Sequence, residues 1–281
     1  MDNLPVRLIA MDMDGTLLND DCRIPEENIR AMREAAEAGI RLAIVSGRLP
    51  EDISYFMSDA GFMDCFVLGL NGGCCLDKPH GETIFTQYMA GSDVEKCIAI
   101  LESEHVTYSA FGRSHIAISR SFSTGQELEN WGTHLTRKGN LLYTYGMEGI
   151  LAQSAIGTNK IVYIDREDPA RLNRIRERIA KIPGVEVTSS WINNIEIMPR
   201  NVHKGAALAM LSNRLHIEQA QVMAIGDNDN DISMLAWAGF GVAMGNASGG
   251  AKAVAEFETD GNENAGVAKA IRRFALDMGK A

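Results

Sequence analysis

The chain has 281 residues, of which 46% are hydrophobic and 23% charged, a composition that is typical of globular proteins and excludes a disordered chain. This length predicts two structural units. The formal net charge of −10 without a Lys/Arg cluster disfavours a nucleic-acid partner, and the lack of a long apolar stretch or a basic leader segment favours a cytosolic protein that does not contact a membrane.

The first predicted elements alternate between strands and helices. Apolar runs without a helical stripe predict strands at 6–12, 40–45 and 66–70, and helical patterns begin at Pro25 and Pro50. The order strand-helix-strand-helix-strand is typical of a parallel sheet with helices on its faces.

The pattern changes after residue 73. Strand patterns at 74–76 and 83–88 flank a turn at 78–81, which predicts a hairpin. From about residue 91 to residue 190, helical and strand patterns are mixed, which indicates a separate α+β unit.

The alternation of strands and helices then resumes after the α+β unit. Its predicted elements are a strand at 195–198, a helix at 204–215, a strand at 222–225, a helix at 232–238, a strand at 241–244 and a last helix ending near 278. We therefore expect an α/β fold: a doubly wound, Rossmann-like, mostly parallel sheet core (1–82 and 192–281) with an inserted α+β cap domain (83–191).

The five cysteines are odd in number and form no Cys-x-x-Cys pair. Neither a disulfide framework nor a zinc site is therefore expected. A strained bridge between Cys74 and Cys75 is an alternative, but two small half-buried strand residues explain the pair better, so we expect five reduced thiols.

The sharpest chemical signal is the acidic pair Asp12 and Asp14 at the carboxyl end of the first strand, where open α/β sheets place their ligand crevice. Alternating side-chain direction lets both carboxylates approach one site. Two carboxylates this close repel each other unless a cation uses them. An Asp-Gly turn that caps a helix is the structural alternative.

A second acidic cluster, residues 227–231, follows the strand at 222–225 and so belongs to the same sheet edge. Its alternating Asp residues resemble an EF-hand calcium loop, but the sixth position is Ile232 instead of Gly and the twelfth is Ala238 instead of Glu. Helix capping by Asp229 or Asn230 explains those residues singly. It does not explain acidic pairs at two separate strand ends.

Donors for phosphoryl oxygens lie between the two clusters. Ser46 and Gly47 follow the second strand, and Lys204 begins a helix. A hydroxyl, a backbone N–H and an ammonium group are the donors that a phosphate needs. Taken alone, Ser46 and Gly47 would be interpreted as a turn and Lys204 as a solvated surface lysine. The position of all three residues at this sheet edge favours a phosphate site.

These motifs together resemble the haloacid dehalogenase superfamily, and within it the Cof-like phosphatases with a large α/β cap. The resemblance covers both core segments and rests on residues 12–18, 46–48, 71–73, 204–205, 226–231 with Met234, and 242–247. The cap carries no motif that can be placed, and the phrase before the last helix, residues 262–267, departs from the family pattern.

The resemblance implies a Mg²⁺-dependent phosphatase. In that interpretation Asp12 attacks phosphorus and forms an aspartyl-phosphate, and Asp14 acts as general acid and then general base. Mg²⁺ would bind the Asp12 carboxylate, the Asp14 carbonyl and Asp227. The phosphoryl oxygens would be held by Ser46, the backbone of Gly47 and Met13, Lys204 and Asn230. Behind these groups, Thr16 and Asp231 would orient the ligands.

Three other functions use similar residues. A phosphomutase on the same scaffold would return the phosphoryl group to a sugar. A receiver-like signalling protein needs neither the large insertion nor Asp14, and a non-catalytic sensor would be expected to lose Asp12 or Asp14.

The substrate is expected to be a small phosphorylated metabolite, with sugar phosphates first and nucleotide or cofactor phosphates second. Specificity is expected to reside in the cap, because the core motifs contact only phosphate and metal. Within the cap, Trp131, Trp191, Arg113 and His115 have no assigned role and are compatible with ordinary packing or surface positions.

Overall fold

The computed structural model describes residues 6–78, 81–120, 142–189 and 192–277. The strands within these residues are β1 (Leu8–Met11), β2 (Arg41–Val45), β3 (Phe66–Gly69), β4 (Cys74–Leu76), β5 (Thr83–Thr86), β6 (Tyr108–Phe111), β7 (His115–Ile118), β8 (Leu142–Tyr145), β9 (Lys160–Ile164), β10 (Val185–Thr188), β11 (Asn194–Pro199), β12 (Val222–Gly226), β13 (Phe240–Ala243) and β14 (Phe257–Glu258).

The α-helices of the described residues are α1 (Glu26–Glu37), α2 (Pro50–Asp59), α3 (Gly91–Ser103), α4 (Gly146–Ile156), α5 (Pro169–Ile179), α6 (Lys204–Arg214), α7 (Ile232–Trp237), α8 (Gly249–Val254) and α9 (Gly266–Ala270). None of the helices in this part of the chain combines the length and apolar character needed to cross a membrane.

The larger sheet has eight strands in the order β14-β13-β12-β1-β2-β3-β4-β5. Its first six strands are parallel, and the hairpin β4-β5 adds an antiparallel edge. Side chains of β1 alternate between two apolar clusters: Ile9 and Met11 pack on the side of α1 and α2, whereas Leu8 and Ala10 pack on the side of α6 and α7. Helices thus cover both faces, as the predicted α/β core requires.

The smaller sheet has six strands in the order β10-β11-β9-β6-β7-β8. All its pairs are antiparallel except β7 with β8. One face packs under α3, α4 and α5 in an apolar cluster of its own. The opposite face carries an apolar row that belongs to the same cluster as the larger sheet: Phe111, Ile116, Ile118, Val162 and, partly buried, Ile164. The predicted fold class, a Rossmann-like core with an α+β insertion, is confirmed.

The sheets divide the chain differently from the sequence-based boundaries. The prediction that residues 195–198 rejoin the larger sheet is wrong, because β11 pairs with β9 and β10 in the smaller one. Every residue of β11 is buried, so its apolar pattern looks like that of a central parallel strand. At the other end, β5 belongs to the larger sheet. As domain boundaries, we propose residues 87–90 and 200–203.

Some elements have no clear signal in the sequence. Helix α4 has apolar residues on all sides, including exposed Leu151 and Ile156, so no amphipathic stripe marks it. Strand β6 follows α3 without a distinctive turn. The predicted roles of Pro79 and His80 in the hairpin turn, the positions of Trp131 and Trp191, and the end of the last helix lie outside the described residues.

All five cysteines are free thiols: Cys22 is exposed, and the other four are buried. Three of the buried thiols, Cys65, Cys74 and Cys75, lie in or beside the larger sheet, whereas Cys97 packs in the helix-covered core of the smaller sheet. The expected reduced state is therefore what the structure contains.

Candidate active site

The parallel pairing of β1 with β12 brings the two acidic segments together. Met11 is in register with Ile225, and the Asp12 N–H donates to the Ile225 carbonyl at 2.9 Å. Asp12 and Asp227 therefore leave neighbouring strands at the same carboxyl edge, as the sequence predicts.

Lys204 lies at the centre of this edge. Its Nζ donates to Oδ1 of Asp12 and to Oδ1 of Asp231, each at 2.5 Å, and its side chain is fully buried. Burial alone would lower the pKa of Lys204, but the two carboxylates raise it above its ordinary value. The lysine is a permanent cation in the site, not the solvated surface residue that its sequence context alone suggested.

Asp231 organises the turn after β12. Its Oδ2 accepts the backbone N–H groups of Asp227 and Asn228, each at 2.9 Å. Asn228, and neither Asp229 nor Asn230, is the N-cap of the one-turn 3-10 helix Asp229–Asp231 that leads into α7, and it forms a capping box with Asp231. One carboxylate thus fixes both the backbone of the acidic turn and the ammonium group of Lys204.

Asp227 approaches the turn after β1 closely. The Thr16 hydroxyl donates to Asp227 Oδ1 at 2.7 Å. Gly15 has φ of +78°, and a Cβ there would lie 2.5 Å from Asp227 Oδ2. Only glycine permits this approach without strain, so the Asp-Gly-Thr order of the sequence has a steric reason.

The carboxylate of Asp14 pairs with Arg48. Nε and one terminal nitrogen of Arg48 donate to the two Asp14 oxygens at 2.7 and 2.6 Å. This bidentate pair raises the pKa of Arg48 against the opposing effect of burial. About half of the Asp14 side chain is exposed, so this acid, unlike Asp12, is accessible to a substrate.

The predicted phosphate donors lie in the turns that follow three neighbouring strands of the larger sheet, β1, β2 and β12. Ser46 is buried, and its Oγ accepts the Arg48 N–H at 3.2 Å. Asn230 donates to Asn71 Oδ1 at 3.3 Å, which links the turn after β12 to the turn after β3. The backbone groups of Met13 and Gly47 lie in the turns that follow β1 and β2.

Two side chains from the smaller sheet reach this edge and were missed by sequence reasoning. Lys160 Nζ donates to the Gly47 carbonyl at 2.7 Å, and Glu196 Oε2 accepts from Asn71 Nδ2 at 2.6 Å. No motif spacing marks either residue, because each lies in a strand and is brought here by the packing of one sheet on the other.

The acidic groups fit a divalent cation. One carboxylate oxygen from each of Asp12, Asp227 and Asp231 lies within 4.8 Å of the others. Burial, and then the charge of Asp231, raises the pKa of Asp12 well above its usual value, while burial raises the pKa of Asp227 to about 6. Oxygen donors with excess negative charge are the set that Mg²⁺ prefers, and Lys204 alone does not neutralise them.

Comparisons with known proteins find relatives that span almost the whole chain. The family model of the haloacid dehalogenase-like hydrolases matches residues 9–271. The 5-amino-6-(5-phospho-D-ribitylamino)uracil phosphatase YcsE of Bacillus subtilis is 32% identical over 98% of both chains. Pyridoxal phosphate phosphatase YbhA of Escherichia coli is 30% identical over 95% of this chain and 98% of its own. A solved haloacid dehalogenase-like hydrolase from B. subtilis superposes with a TM-score of 0.84 at 27% identity, covering 95% of this chain and 99% of its own.

Proposed function

Because the chain belongs to the haloacid dehalogenase-like hydrolase family, we propose that it hydrolyses small phosphomonoesters with Mg²⁺ through an aspartyl-phosphate on Asp12. The enzyme class, phosphoric monoester hydrolase, agrees with the phosphatase names of its relatives. The metal, the covalent intermediate and the substrate are the proposed parts.

The observation that carries the proposal is the buried triangle of Asp12, Lys204 and Asp231 beside Asp227. Three carboxylates cluster around one ammonium group where an anionic phosphate must arrive, and the fourth carboxylate, that of Asp14, is paired with Arg48. Asp12, Asp227 and the Asp14 carbonyl would hold Mg²⁺, with Asp231 behind them. The bound cation would neutralise charge on the phosphoryl oxygens.

In the first half-reaction, an Asp12 carboxylate oxygen forms a bond to phosphorus and the ester P–O bond breaks. Lys204 holds the Asp12 carboxylate in one orientation through its 2.5 Å hydrogen bond. Asp14, in its protonated form, gives its proton to the departing alkoxide. About half of the Asp14 side chain is exposed, and the step requires its carboxyl group to leave Arg48 and turn towards the leaving group.

In the second half-reaction, Asp14 is ionised and removes a proton from water. The water oxygen bonds to phosphorus, the bond to Asp12 breaks, and orthophosphate leaves. The Ser46 hydroxyl, the backbone N–H groups of Gly47 and Met13, the Lys204 ammonium and Asn230 would donate to the phosphoryl oxygens throughout. Preorganised donors of this kind stabilise charge in the transition state without reorganising.

Sugar phosphates are the first proposed substrates, and the names of two relatives suggest a second class. One relative is named for a uracil derivative and another for pyridoxal phosphate. Phosphate esters of heterocycles are therefore the second candidate.

The test is release of orthophosphate from an aryl phosphate and from a panel of both ester classes. We expect activity with Mg²⁺, loss of activity with EDTA, and recovery on re-addition of Mg²⁺. Activity that survives exhaustive chelation would contradict the metal assignment. Conversion of a sugar phosphate to its isomer without phosphate release would indicate a mutase, and a long-lived phosphoprotein without turnover would indicate a signalling role.

A further inference from the structure

We propose that Lys160 and Glu196 are positioning residues that orient the phosphoryl-binding donors Ser46 and Asn230 from the opposite sheet. The inference rests on the proposed function and deepens it. The phosphate site would then be completed by the smaller sheet, and not by the core motifs alone.

The two residues form a buried ion pair between the sheets. Lys160 on β9 and Glu196 on β11 are 4% and 5% exposed, and Lys160 Nζ lies 3.3 Å from Glu196 Oε2. Glu196 is in register with Val162, two residues after Lys160, so both side chains are on the face that carries the apolar row. Lys160 also lies 5.1 Å from the centre of the Phe111 ring.

Lys160 acts on Ser46 through one peptide group. Its ammonium donates to the Gly47 carbonyl at 2.7 Å, and the N–H of the same peptide, that of Arg48, donates to Ser46 Oγ at 3.2 Å. A cation on the carbonyl polarises the peptide and strengthens its N–H as a donor. Because Ser46 Oγ accepts this bond, its own proton is left for a phosphoryl oxygen.

Glu196 acts on Asn230 through one amide. An ionised carboxylate only accepts hydrogen bonds, so the 2.6 Å contact fixes Nδ2 of Asn71 towards Glu196. Oδ1 of Asn71 then faces Nδ2 of Asn230 at 3.3 Å. The second hydrogen of that Nδ2 remains for a phosphoryl oxygen.

Stability alone does not explain the pair. Burying two charges costs desolvation energy, which their attraction often fails to recover. The smaller unit, which consists of the smaller sheet and its helices, contains a second ion pair, Arg171 with Asp165 at 2.7 Å. Its described partners, Tyr163 and the backbone of Glu167 and Asp168 among them, all lie within the smaller unit. That pair provides a matched control.

The experiment measures inhibition by orthophosphate, which lacks a leaving group. With Mg²⁺ present, Lys160→Met and Glu196→Gln should each raise the inhibition constant about tenfold or more, the loss expected for a charge-assisted hydrogen bond. Calorimetric titration of orthophosphate should show the same loss. Arg171→Met and Asp165→Asn should leave both values unchanged.

Two further variants separate positioning from folding. In a Ser46→Ala background, Lys160→Met should lose most of its effect on the inhibition constant, because its target hydroxyl is gone. Lys160→Arg should restore part of the wild-type affinity. The double variant Lys160→Met/Glu196→Leu removes both charges together and should fold, yet bind orthophosphate as weakly as the single variants.

The inference would be overturned if folded Lys160→Met and Glu196→Gln bound orthophosphate as tightly as the wild-type protein. If these variants also ranked the esters differently from wild type, both residues would instead act at the leaving group. Equal effects of Lys160→Met with and without Ser46 would also overturn it. A wild-type protein that hydrolyses no ester would instead refute the proposed function, so the two failures are distinguishable.

Discussion

Asp12 is the residue on which the proposed chemistry depends. Asp12→Asn is nearly isosteric, but an amide is a poor nucleophile and a poor metal ligand, so we expect a folded protein without measurable phosphate release. Asp14→Asn should reduce turnover by about 10²–10⁴-fold if Asp14 is the acid and base. Asp21→Asn, an exposed acid nearby, is the control and should keep full activity.

Trapping experiments decide where the phosphoryl group goes. Beryllium fluoride should occupy Asp12 in the wild-type protein and should not bind covalently to Asp12→Asn. Labelling at another residue would refute the aspartyl-phosphate on Asp12, even if the protein released phosphate normally.

Asp52 gives a pH-dependent contribution to stability. It is 3% exposed, and burial raises its pKa to about 7 against the opposing effect of Arg48. In the unfolded chain the pKa is near 3.9, so between about pH 4 and pH 7 the folded state holds the extra proton. The contribution of Asp52 to stability is therefore present at low pH and is lost as pH rises towards 7.

Asp52→Asn should remove this dependence. The free energy of unfolding of the variant relative to wild type should increase from pH 4 to pH 7 and then level off. The total increase should be roughly 1.4 kcal/mol per unit of difference between the folded and unfolded pKa of Asp52. Urea unfolding at several pH values measures it. Asp59→Asn, at an exposed position of the same helix, is the control substitution, and a pH-independent difference for Asp52→Asn would contradict the raised pKa.

At the scale of single residues, the sequence predicts the site residues that belong to motifs. It misses the residues that reach the site only because the two sheets pack together. The acids at the ends of β1 and β12, Ser46 and Lys204 follow strand ends or begin helices, so topology alone places them together. Lys160 and Glu196 lie within strands, and only the contact between the sheets brings them to the site. Their role could not be predicted without knowing how the sheets pack.

Among the elements, the turn at Leu70–Gly72 depends on a single glycine. Gly72 has φ of +95°, and a Cβ there would clash with Cβ of Ala207 and lie 3.1 Å from the His203 carbonyl. Gly72→Ala should therefore cost roughly 1–3 kcal/mol for the backbone and a similar amount for overpacking against α6. Thermal or urea unfolding measures the loss.

Gly91→Ala is the matched control for that substitution. Gly91 begins α3, and nothing lies within 4 Å of the position that a Cβ would take there, so the change should alter stability by less than about 0.5 kcal/mol. Equal effects of the two substitutions would show that close packing at Gly72 is unimportant.

The predicted elements were most accurate where apolar periodicity and end signals coincide. Helices α1 and α2 each have Pro at or beside the first turn and an apolar stripe, and they begin at Glu26 and Pro50, close to the predicted starts at Pro25 and Pro50. Strand β11 was predicted as a strand but assigned to the wrong sheet. A strand that is buried on both faces has the same apolar pattern in either sheet. Pairing partners are set by long-range packing that a local pattern does not contain.

For the whole molecule, the division between the sheets predicts how substrate preference can be moved. Exchanging the segment between residues 87–90 and 200–203 for that of a relative should retain phosphate release and transfer the ester ranking, because the core holds only the shared phosphate. Kinetic screening of a phosphorylated-metabolite panel before and after exchange measures this. A ranking that stays with the core would refute the role of the smaller unit in specificity.

The position of the cuts matters to that experiment. An exchange at residues 83 and 191 would cut the hairpin β4-β5 and pair β11 of this chain with a foreign β9. We expect such a chimera to unfold at lower urea concentration than one cut at the proposed boundaries. Equal stability of the two chimeras would contradict the proposed boundaries.

The positions of the native thiols allow the unfolding of each sheet to be followed by cysteine alkylation. A maleimide should react at once with Cys22, which is exposed, whereas burial raises the pKa of Cys65 and of Cys97 to about 12 and protects both from alkylation. Cys97 belongs to the smaller unit and Cys65 to the larger one. Pulsed alkylation followed by mass spectrometry can therefore time the exposure of each sheet separately, with the native residues and no engineered probe.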